Sequence, residues 1–596
     1  MNKKILNFWK KNAENIYWFQ FPKNIFEFKN NFFKWYDDGK TNVALNCLEH
    51  KHFDTSKKIA IVYCNKNKEV SKFTYKQLNN YISKFSHYLS TFKKKKKTIK
   101  IMIHGSASIE TSISMLACAK LGFEHCVVFE NLSKEAFELR IKLFKPNILV
   151  SRCDITQYKK DIKPVISKFL DISFIHFSEN KLNVKIKNKI NLSLLNKYKK
   201  IISAYKIIKS NNNLFTLFTS GSTGMPKGVI HSSGGYLSYI KFTCTKQFGM
   251  NDKSIVLTAS DAGWMNGHTY ALYGPLSCGA TTIILETPIS LLDEEFINNI
   301  LINYKINILY LPVTLIRLMK SIFNNKKIKT KYLKTLGSMG EPLAPSVGEW
   351  FAKYFSLKNK AIVNTYYQTE TGGIICSPRY TESNKTSPHG SVGKPVTTFL
   401  NINNKIKKFD KEFIIKNLWP GCMINLVNGK KEWNKYWTEE KYFRMFDISH
   451  KDNKNNFYIQ GRVDDVINIR GHRIGTAEIE SIILKYTLAK EASVITTKDE
   501  LEGDIIILFI SANDKNIIKN NIIEKILIKY FGSYAIPKDI FVIKELPKTR
   551  SGKILRRVLR TLYLNPNKKN IGDISTMINM NSIEDIRKSI INSIHN

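Results

Sequence analysis

The sequence predicts an α/β protein with a large N-terminal domain of sheets flanked by helices and a small α+β domain behind it. Two patterns carry this reading. Short apolar runs, "KIAIVYC" (58–64), "TIKIMIHG" (98–105), "HCVVF" (125–129), "NILVS" (147–151), "SIVLTAS" (254–260), "TTIILE" (281–286), "INILYLP" (306–312) and "AIVNTYY" (361–367), have the length of strands buried in a sheet. Longer helix-like stretches such as "SIETSISMLACAKLG" (108–122) alternate with them. The mixture thins near residue 400, where "NINNKIKKFDKEF" (401–413) reads as a polar connection. Beyond "GRVDDVINIRGHRIG" (461–475), the strand-like "DIIILFISA" (504–512) and the helix-like "NNIIEKILIKYFGSY" (520–534) complete a compact α+β unit. The boundary falls at Asp464, giving domains 1–463 and 464–596. No internal repeat is apparent.

Bulk properties exclude several classes. A chain of 596 residues exceeds what one core needs, and 43% hydrophobic with 12% aromatic residues is too apolar for disorder. Nine cysteines, odd in number and without a C-x-x-C pair, indicate thiols in a reducing compartment rather than a zinc site or disulfide framework. No apolar run reaches the roughly 18 residues of a membrane span, and "MNKKILNFWKKNAENIYWF" lacks a continuous apolar segment of the secretory type. A cytoplasmic location without a membrane partner is the expectation. The net charge of +44 comes from Lys scattered along the whole chain, and its one dense block, Lys93 to Lys97, reads as a solvated turn. A nucleic-acid site would gather basic residues on one face with stacking aromatics, so nucleic-acid binding is not expected as the main role.

The stretch "TSGSTGMPKGVIH" (219–231) has the properties of a phosphate cradle. Gly221, Gly224 and Gly228 let the backbone approach a ligand, Ser220, Ser222 and Thr223 bring hydroxyls, and Lys227 brings a cation. Its spacing fits neither the P-loop nor the dinucleotide fingerprint. On composition alone an ordinary surface turn is the competing reading.

Further motifs follow in order: "GSMGEPL" (337–343), "NTYYQTETGG" (364–373), "MFDISH" (445–450), "GRVDDVINIRGHRIGTAEIES" (461–481) and "LPKTRSGKILRRVLR" (546–560). With them the chain resembles the adenylate-forming, AMP-producing acyl-CoA synthetase superfamily. "KWYDDGKTNVALNCL" (34–48), "DAGWMNGHTYALYGPLSCGATTIILE" (261–286) and "NIGDISTM" (570–577) resemble the acetyl-CoA synthetases within it. The resemblance implies the adenylate-forming enzyme fold and a two-step reaction. Acetate and ATP give acetyl-adenylate and pyrophosphate, and CoA then takes the acetyl group and releases AMP. Propionate or another short-chain acid, or an acceptor other than CoA, is the alternative; a noncatalytic relic of the fold is a further class, opposed by the retained Lys553, Glu370, Asp447 and Arg473.

The resemblance assigns roles residue by residue. Thr219, Ser220, Gly221, Ser222, Thr223, Gly224 and Lys227 would hold the β- and γ-phosphates, Thr369 would contact the α-phosphate, and Glu370 would bind the magnesium ion that accompanies ATP. Gly340, Glu341, Pro342, Asn364, Thr365, Tyr366 and Gln368 would line the adenine, with the Asn364 carbonyl oxygen accepting from the adenine amino group. Asp447 would take both ribose hydroxyls, a bidentate task suited to a carboxylate, with Arg462 at the ribose and Arg473 at the phosphate. Lys553 would bridge the carboxylate and α-phosphate during adenylation. The small, mobile domain would then turn about Asp464 and bring the segment 471–475 in for thioester formation. Acetylation of Lys553 would remove that charge, which makes a lysine acetyltransferase and deacetylase possible partners. Met265, Asn266, Met339 and Tyr367 stand at the acyl pocket, where the two methionines are adaptable fillers. At the CoA site Lys160 and Lys529 lie at or beside positions where the family has arginines, and Arg470 and Gly471 fall where the pantetheine enters; lysines supply charge without the bidentate fork of arginine.

Overall fold

A computed structural model gives this chain two large sheets and a smaller C-terminal unit. It describes residues 1–596 other than 30–31, 51, 93–98, 131, 178–187, 220–225, 324–327, 329–330, 404–410, 428, 464–465, 470–471, 500–502, 513–519, 532–534, 550–551, 569, 573, 575–576 and 595–596. The Lys93–Lys97 turn and the hinge position Asp464 therefore lie outside the described residues.

Most of the apolar runs become strands. An eight-stranded sheet is centred on Lys100–His104, which pairs in parallel with Glu124–Val128 and Ile148–Ser151. Beyond Glu124–Val128 come the antiparallel pair Asn213–Thr219 and Lys227–Ser232 and then the short edge strand Asn425–Leu426. A seven-stranded sheet runs from Val363–Asn364 through Thr335–Met339, Ile308–Pro312, Ile255–Thr258 and Thr281–Leu285 to Ile59–Cys64 in parallel. Val70–Thr74 closes it antiparallel.

The two sheets share a core. Ile61, Tyr63 and Ile284 of one sheet and Ile101, Ile103 and Leu217 of the other belong to one apolar cluster, joined by Leu78, Phe85, Ile113 and Leu116. These last four lie on the helices Tyr75–Ser90 and Ile109–Leu121. Every residue of Ile109–Leu121 is buried, so this helix is apolar around most of its circumference rather than amphipathic. Ser108 caps its start by accepting from the Thr111 N–H, and Gly122 at φ 68° ends it in the left-handed conformation a glycine adopts without strain. Each fully buried side chain of the Leu116 kind contributes about 1.5–3 kcal/mol of apolar transfer.

The stretch 401–413 corrects the expectation of a polar connection. Its ends are strands, Ile402–Asn403 and Glu412–Ile415, of a four-stranded antiparallel sheet with Phe443–Lys451 and Phe457–Arg462. Phe413 and Ile415 enter the core there, and buried Glu412 is neutralised by the fork of Arg444 at 3.1 and 2.9 Å. Local polarity concealed a paired charge. Behind this sheet come the hairpin Val466–Ile469 with His472–Gly475, then a sheet of Glu491–Asp499, Gly503–Ser511 and Asp539–Ile543. The helices Thr476–Tyr486, Asn520–Phe531, Arg556–Leu564 and Ser582–Ile594 accompany that sheet, giving the expected α+β unit. All nine cysteines are free thiols, and no described helix is long and apolar enough to cross a membrane.

Candidate active site

The phosphate-loop stretch joins two antiparallel strands of the eight-stranded sheet, the second of them flanked by Asn425–Leu426. Thr219 ends one strand and pairs directly with Lys227 at the start of the next. Ser220, Gly221, Ser222, Thr223 and Gly224 form the connection and lie outside the described residues. The Lys227 ammonium sits 5.5 Å over the ring of Tyr436 and 3.8 Å from the Glu432 carboxylate. Tyr436 in turn donates its hydroxyl proton to Glu370 Oε1 at 2.6 Å. Burial, then the charge of Glu370, pushes the Tyr436 phenol far above its ordinary range, so it remains a donor.

Glu370 lies in the single 3₁₀ turn Thr369–Thr371, fixed from three sides. The His231 ring bonds the Thr369 carbonyl oxygen at 2.8 Å, Met423 N–H donates to the Glu370 carbonyl at 2.8 Å, and the Trp419 indole donates to the Thr371 carbonyl at 2.9 Å. His231 is buried on the strand that begins at Lys227, and burial holds it down to about 4, hence neutral. Thr219, Lys227, Thr369 and Glu370 are thus brought together from two distant stretches of sequence.

No cluster of three or more metal-ligating side chains occurs among the described residues. A magnesium ion is ordinarily held by one or two carboxylates together with substrate phosphates, and the single buried carboxylate of Glu370 beside a lysine of the phosphate hairpin fits that pattern.

The nucleoside end is organised around Asp447. Its Oδ2 accepts from the Tyr366 hydroxyl and from Gln368 Nε2, each at 2.6 Å, and its Oδ1 from Arg462 Nη1 at 3.2 Å. Arg462 is the strand neighbour of Asp447. The residue before Asp447 is Phe446 at φ 55°, a left-handed conformation that costs a bulky residue roughly 1–2 kcal/mol. Its ring makes an edge contact with Tyr436 at 5.4 Å and lies 4.6 Å from the Arg444 guanidinium and 5.8 Å from that of Arg462. Strain of this kind is kept where geometry matters.

Asn364 is committed differently from the expectation. It is 2% exposed, its carbonyl oxygen accepts from Ser338 Oγ at 2.9 Å, and its amide donates to the Ser391 carbonyl at 2.8 Å. It supports the "GSMGEP" strand end from behind. Thr365 bonds the hydroxyl of Tyr310 at 2.6 Å and the Ser338 carbonyl at 3.0 Å. Gly340 has φ 90° with open space where a side chain would stand, so the chain leaves the Thr335–Met339 strand there by a bend glycine makes readily. The Glu341 carboxylate is ion-paired to Arg317 rather than open to a ligand.

The acyl-pocket residues meet. Tyr367 donates its hydroxyl to Asn266 Oδ1 at 2.8 Å, and the Asn266 amide touches Met339 Sδ. Met265, Asn266 and Met339 are buried, and the Tyr367 ring stands edge-on to Tyr270 at 5.8 Å. The CoA-side residues are less defined. Lys160 and Lys529 are both exposed, on separate units, while Arg470 and Gly471 lie outside the described residues and Arg473 is placed only as a strand residue opposite Asn468.

Lys553 is exposed and follows a tight turn in which Gly552 N–H donates to the Thr549 carbonyl at 2.8 Å and Lys553 N–H to Thr549 Oγ1 at 3.1 Å. The Gly552 carbonyl accepts from Thr314 Oγ1 at 3.0 Å, and Thr314 lies 3.3 Å from Glu341. The turn that carries Lys553 therefore abuts the Gly340–Pro342 segment. Tyr436, His231, Phe446, Thr314 and Arg317 were missed from sequence; "KKEWNKYW" around Tyr436 carries no motif spacing.

Family comparisons cover nearly the entire chain. Residues 48–412 match the AMP-binding enzyme family, 478–553 the AMP-binding enzyme C-terminal domain, and 2–47 the acetyl-coenzyme A synthetase N-terminus. The acetyl-coenzyme A synthetase of Helicobacter pylori (strain P12) is 31% identical over 97% of this chain and 92% of its own. That of Leptospira biflexa is 32% identical over 97% and 93%, and that of Chlorobaculum tepidum 30% over 98% and 91%. Among solved structures, an acetoacetyl-CoA synthetase from Streptomyces lividans superposes with a TM-score of 0.82 at 14% identity, covering 99% of this chain and 93% of that one. An anthranilate CoA ligase in complex with anthranoyl-AMP gives 0.75 at 16% identity, covering 88% and 97%. At such identities these two establish the fold. With family models over residues 2–412 and 478–553 and relatives matched over 97–98% of its length, the chain belongs to the acetyl-coenzyme A synthetase family of AMP-binding enzymes.

Proposed function

We propose that this chain is an AMP-forming acetate–CoA ligase, converting ATP, acetate and CoA to acetyl-CoA, AMP and pyrophosphate through acetyl-adenylate. The observation that carries the reading is the meeting of Lys227, Glu370 and Asp447 from three separate stretches, with the Gly552–Lys553 turn seated on Thr314 beside Glu341.

Attack of a carboxylate on the α-phosphate brings two anions together, so catalysis rests on positioning and on positive charge. Lys227 offers its ammonium to the outer phosphates, and Glu370 would hold a magnesium ion that would offset their charge. Asp447 and Arg462 fix the ribose, which sets the α-phosphate near Thr369. The acid enters between Met265, Asn266, Met339 and Tyr367, and Lys553 brings its cation to the carboxylate and α-phosphate. The domain boundary at 463/464, rotation about Asp464, and entry of CoA past Arg470 and Gly471 with Lys160 and Lys529 near its phosphates belong to the same proposal. So do a cytoplasmic location and acetylation of Lys553, whose exposure leaves it open to a modifying enzyme.

A second reading, in which another thiol accepts the acyl group, is favoured by one observation: among the described residues the CoA-side cations are two exposed lysines on separate units. The deciding experiment supplies ATP, magnesium and CoA with acetate, propionate or butyrate and follows AMP, pyrophosphate and thioester. Acetate-dependent acetyl-CoA with equimolar AMP supports the ligase. Pyrophosphate exchange without thioester transfers the reading to another acceptor, and neither product overturns it.

A further inference from the structure

The turn bearing Lys553 is seated on one helix. Val313–Ile322 leaves the end of the Ile308–Pro312 strand, and Thr314 and Arg317, one turn apart, share a face. Thr314 Oγ1 lies 3.0 Å from the Gly552 carbonyl oxygen and 3.3 Å from Glu341 Oε2, so one hydroxyl touches both the residue before Lys553 and the Gly340–Pro342 segment. A Cβ on Gly552 would fall 2.4 Å from Thr314 Cβ, and Gly552 has φ 83°. Only glycine lets this close approach occur.

Arg317 completes the face. Its guanidinium is ion-paired to Glu341, and its side chain is 12% exposed. Its Nε–H is buried with no hydrogen-bond partner among the described residues. Burial weakens its charge; the fields of Glu491 and Glu480 of the C-terminal unit offset only part of that loss, and Arg556 beside them adds to it. Each of these carboxylates is held within its own unit. Glu480 takes Arg556 Nη2 on both oxygens at 2.7 Å and the Val494 N–H at 2.8 Å, while Glu491 takes Lys548 Nζ at 2.8 Å. The two sides meet as pre-paired charges, and neither surface is left with a naked ion when they part. An interface of that kind separates at low cost, as a unit that must leave between two steps requires.

We propose that Thr314 and Arg317 form the dock that seats the Lys553 turn at the nucleotide site for adenylation, with Arg317 a positioning residue acting through Glu341 and the C-terminal carboxylates. This rests on the synthetase reading, and the dock serves the first half-reaction alone.

The test uses the full-length protein and separates the half-reactions. In Arg317→Met, acetate-dependent pyrophosphate exchange falls about 10²-fold in kcat, the size of loss a misplaced catalytic group produces. Its KM for acetate and its thioester formation from preformed acetyl-adenylate stay within about twofold of wild type, the discrimination a dock confined to adenylation demands. Thr314→Ala loses about five- to tenfold of exchange, one hydrogen bond's worth, and Thr314→Ser restores it. A merely structural role would depress both half-reactions and the melting temperature together. Equal loss in both half-reactions, no loss in either, or a Thr314→Ser variant as weak as Thr314→Ala overturns the dock. Wild-type protein without exchange on any short carboxylate overturns the synthetase reading and the dock with it.

Discussion

The Tyr436 hydroxyl lies 2.6 Å from Glu370 Oε1, and the same tyrosine ring carries the Lys227 ammonium 5.5 Å from its centroid. One aromatic side chain thus couples the expected metal-binding carboxylate to the lysine of the phosphate hairpin. The donated hydrogen bond leaves Glu370 one oxygen in a set orientation, which is how outer groups tune a metal ligand. Tyr436→Phe keeps the ring under Lys227 and deletes only the proton donor. Pyrophosphate exchange at limiting magnesium should fall about 10- to 100-fold, with recovery at high magnesium. Thioester formation from preformed acetyl-adenylate should be unchanged. A magnesium titration of exchange decides it; a loss independent of magnesium would remove Tyr436 from this role.

Asp447 accepts three side-chain donors, so its geometry is fixed before any nucleotide arrives. Asp447→Asn replaces one acceptor oxygen by a donor facing Tyr366, Gln368 or Arg462. KM for ATP should rise about 10- to 100-fold, as expected for a charge-assisted pair of hydrogen bonds. Stabilisation of the fold by ATP in a thermal-shift experiment should largely vanish.

Phe446 offers a separate check on the strain beside that carboxylate. At φ 55° alanine pays the left-handed penalty and glycine does not. Phe446→Gly should therefore be more stable than Phe446→Ala by about 1 kcal/mol in urea unfolding, the reverse of the usual order of these residues in a strand. Equal stabilities would mean that the backbone relaxes there.

Much of this was legible in the sequence because it is local. Runs such as "INILYLP" became strands, "SIETSISMLACAKLG" became a buried helix between Ser and Gly caps, and the motif residues Lys227, Glu370 and Asp447 converge. What stayed hidden depends on contacts between distant segments. Tyr436 is 66 positions from Glu370 and Thr314 is 238 from Gly552, and neither sits in a spacing that marks a function. Asn364 shows the same dependence: packing turns its amide toward Ser338 and Ser391, contacts that its residue type alone does not specify. The stretch 401–413 read as a polar connection because the pairing of Glu412 with Arg444, 32 positions away, leaves no local mark.

In the proposed acyl pocket the Tyr367 ring supplies the volume and its hydroxyl orients Asn266. Tyr367 donates to Asn266, whose amide touches Met339. Tyr367→Ala removes the ring and frees the Asn266 carbonyl oxygen, opening room beside two flexible methionines. The kcat/KM ratio of butyrate to acetate should rise by about 10- to 200-fold, the range that a methylene-sized change in a pocket commands. Tyr367→Phe, which keeps the volume, should leave the ratio close to wild type. If the phenylalanine variant relaxes selectivity as much as the alanine one, the hydrogen bond rather than the ring sets chain length.

Three histidines under the site give the fold a pH dependence of known sign. His125 and His268 lie parallel with ring centroids 5.8 Å apart, and His231 shares with them the contact of Phe215. Burial lowers all three, His231 to about 4, His268 to about 3 and His125 well below its ordinary value. An unfolded chain protonates histidine near pH 6.5. Below that value the unfolded state therefore binds protons that the native state refuses. Stability is full above about pH 6.5 and is lost as pH falls toward 4. Each histidine adds a slope of up to about 1.4 kcal/mol per pH unit in that window. Urea unfolding from pH 7 to pH 4.5 measures it. His268→Gln removes one titrating group, so its slope should be flatter than wild type by up to that amount. An unchanged slope would mean that His268 is protonated in the native state and that the stacked pair with His125 is held by another balance of charge.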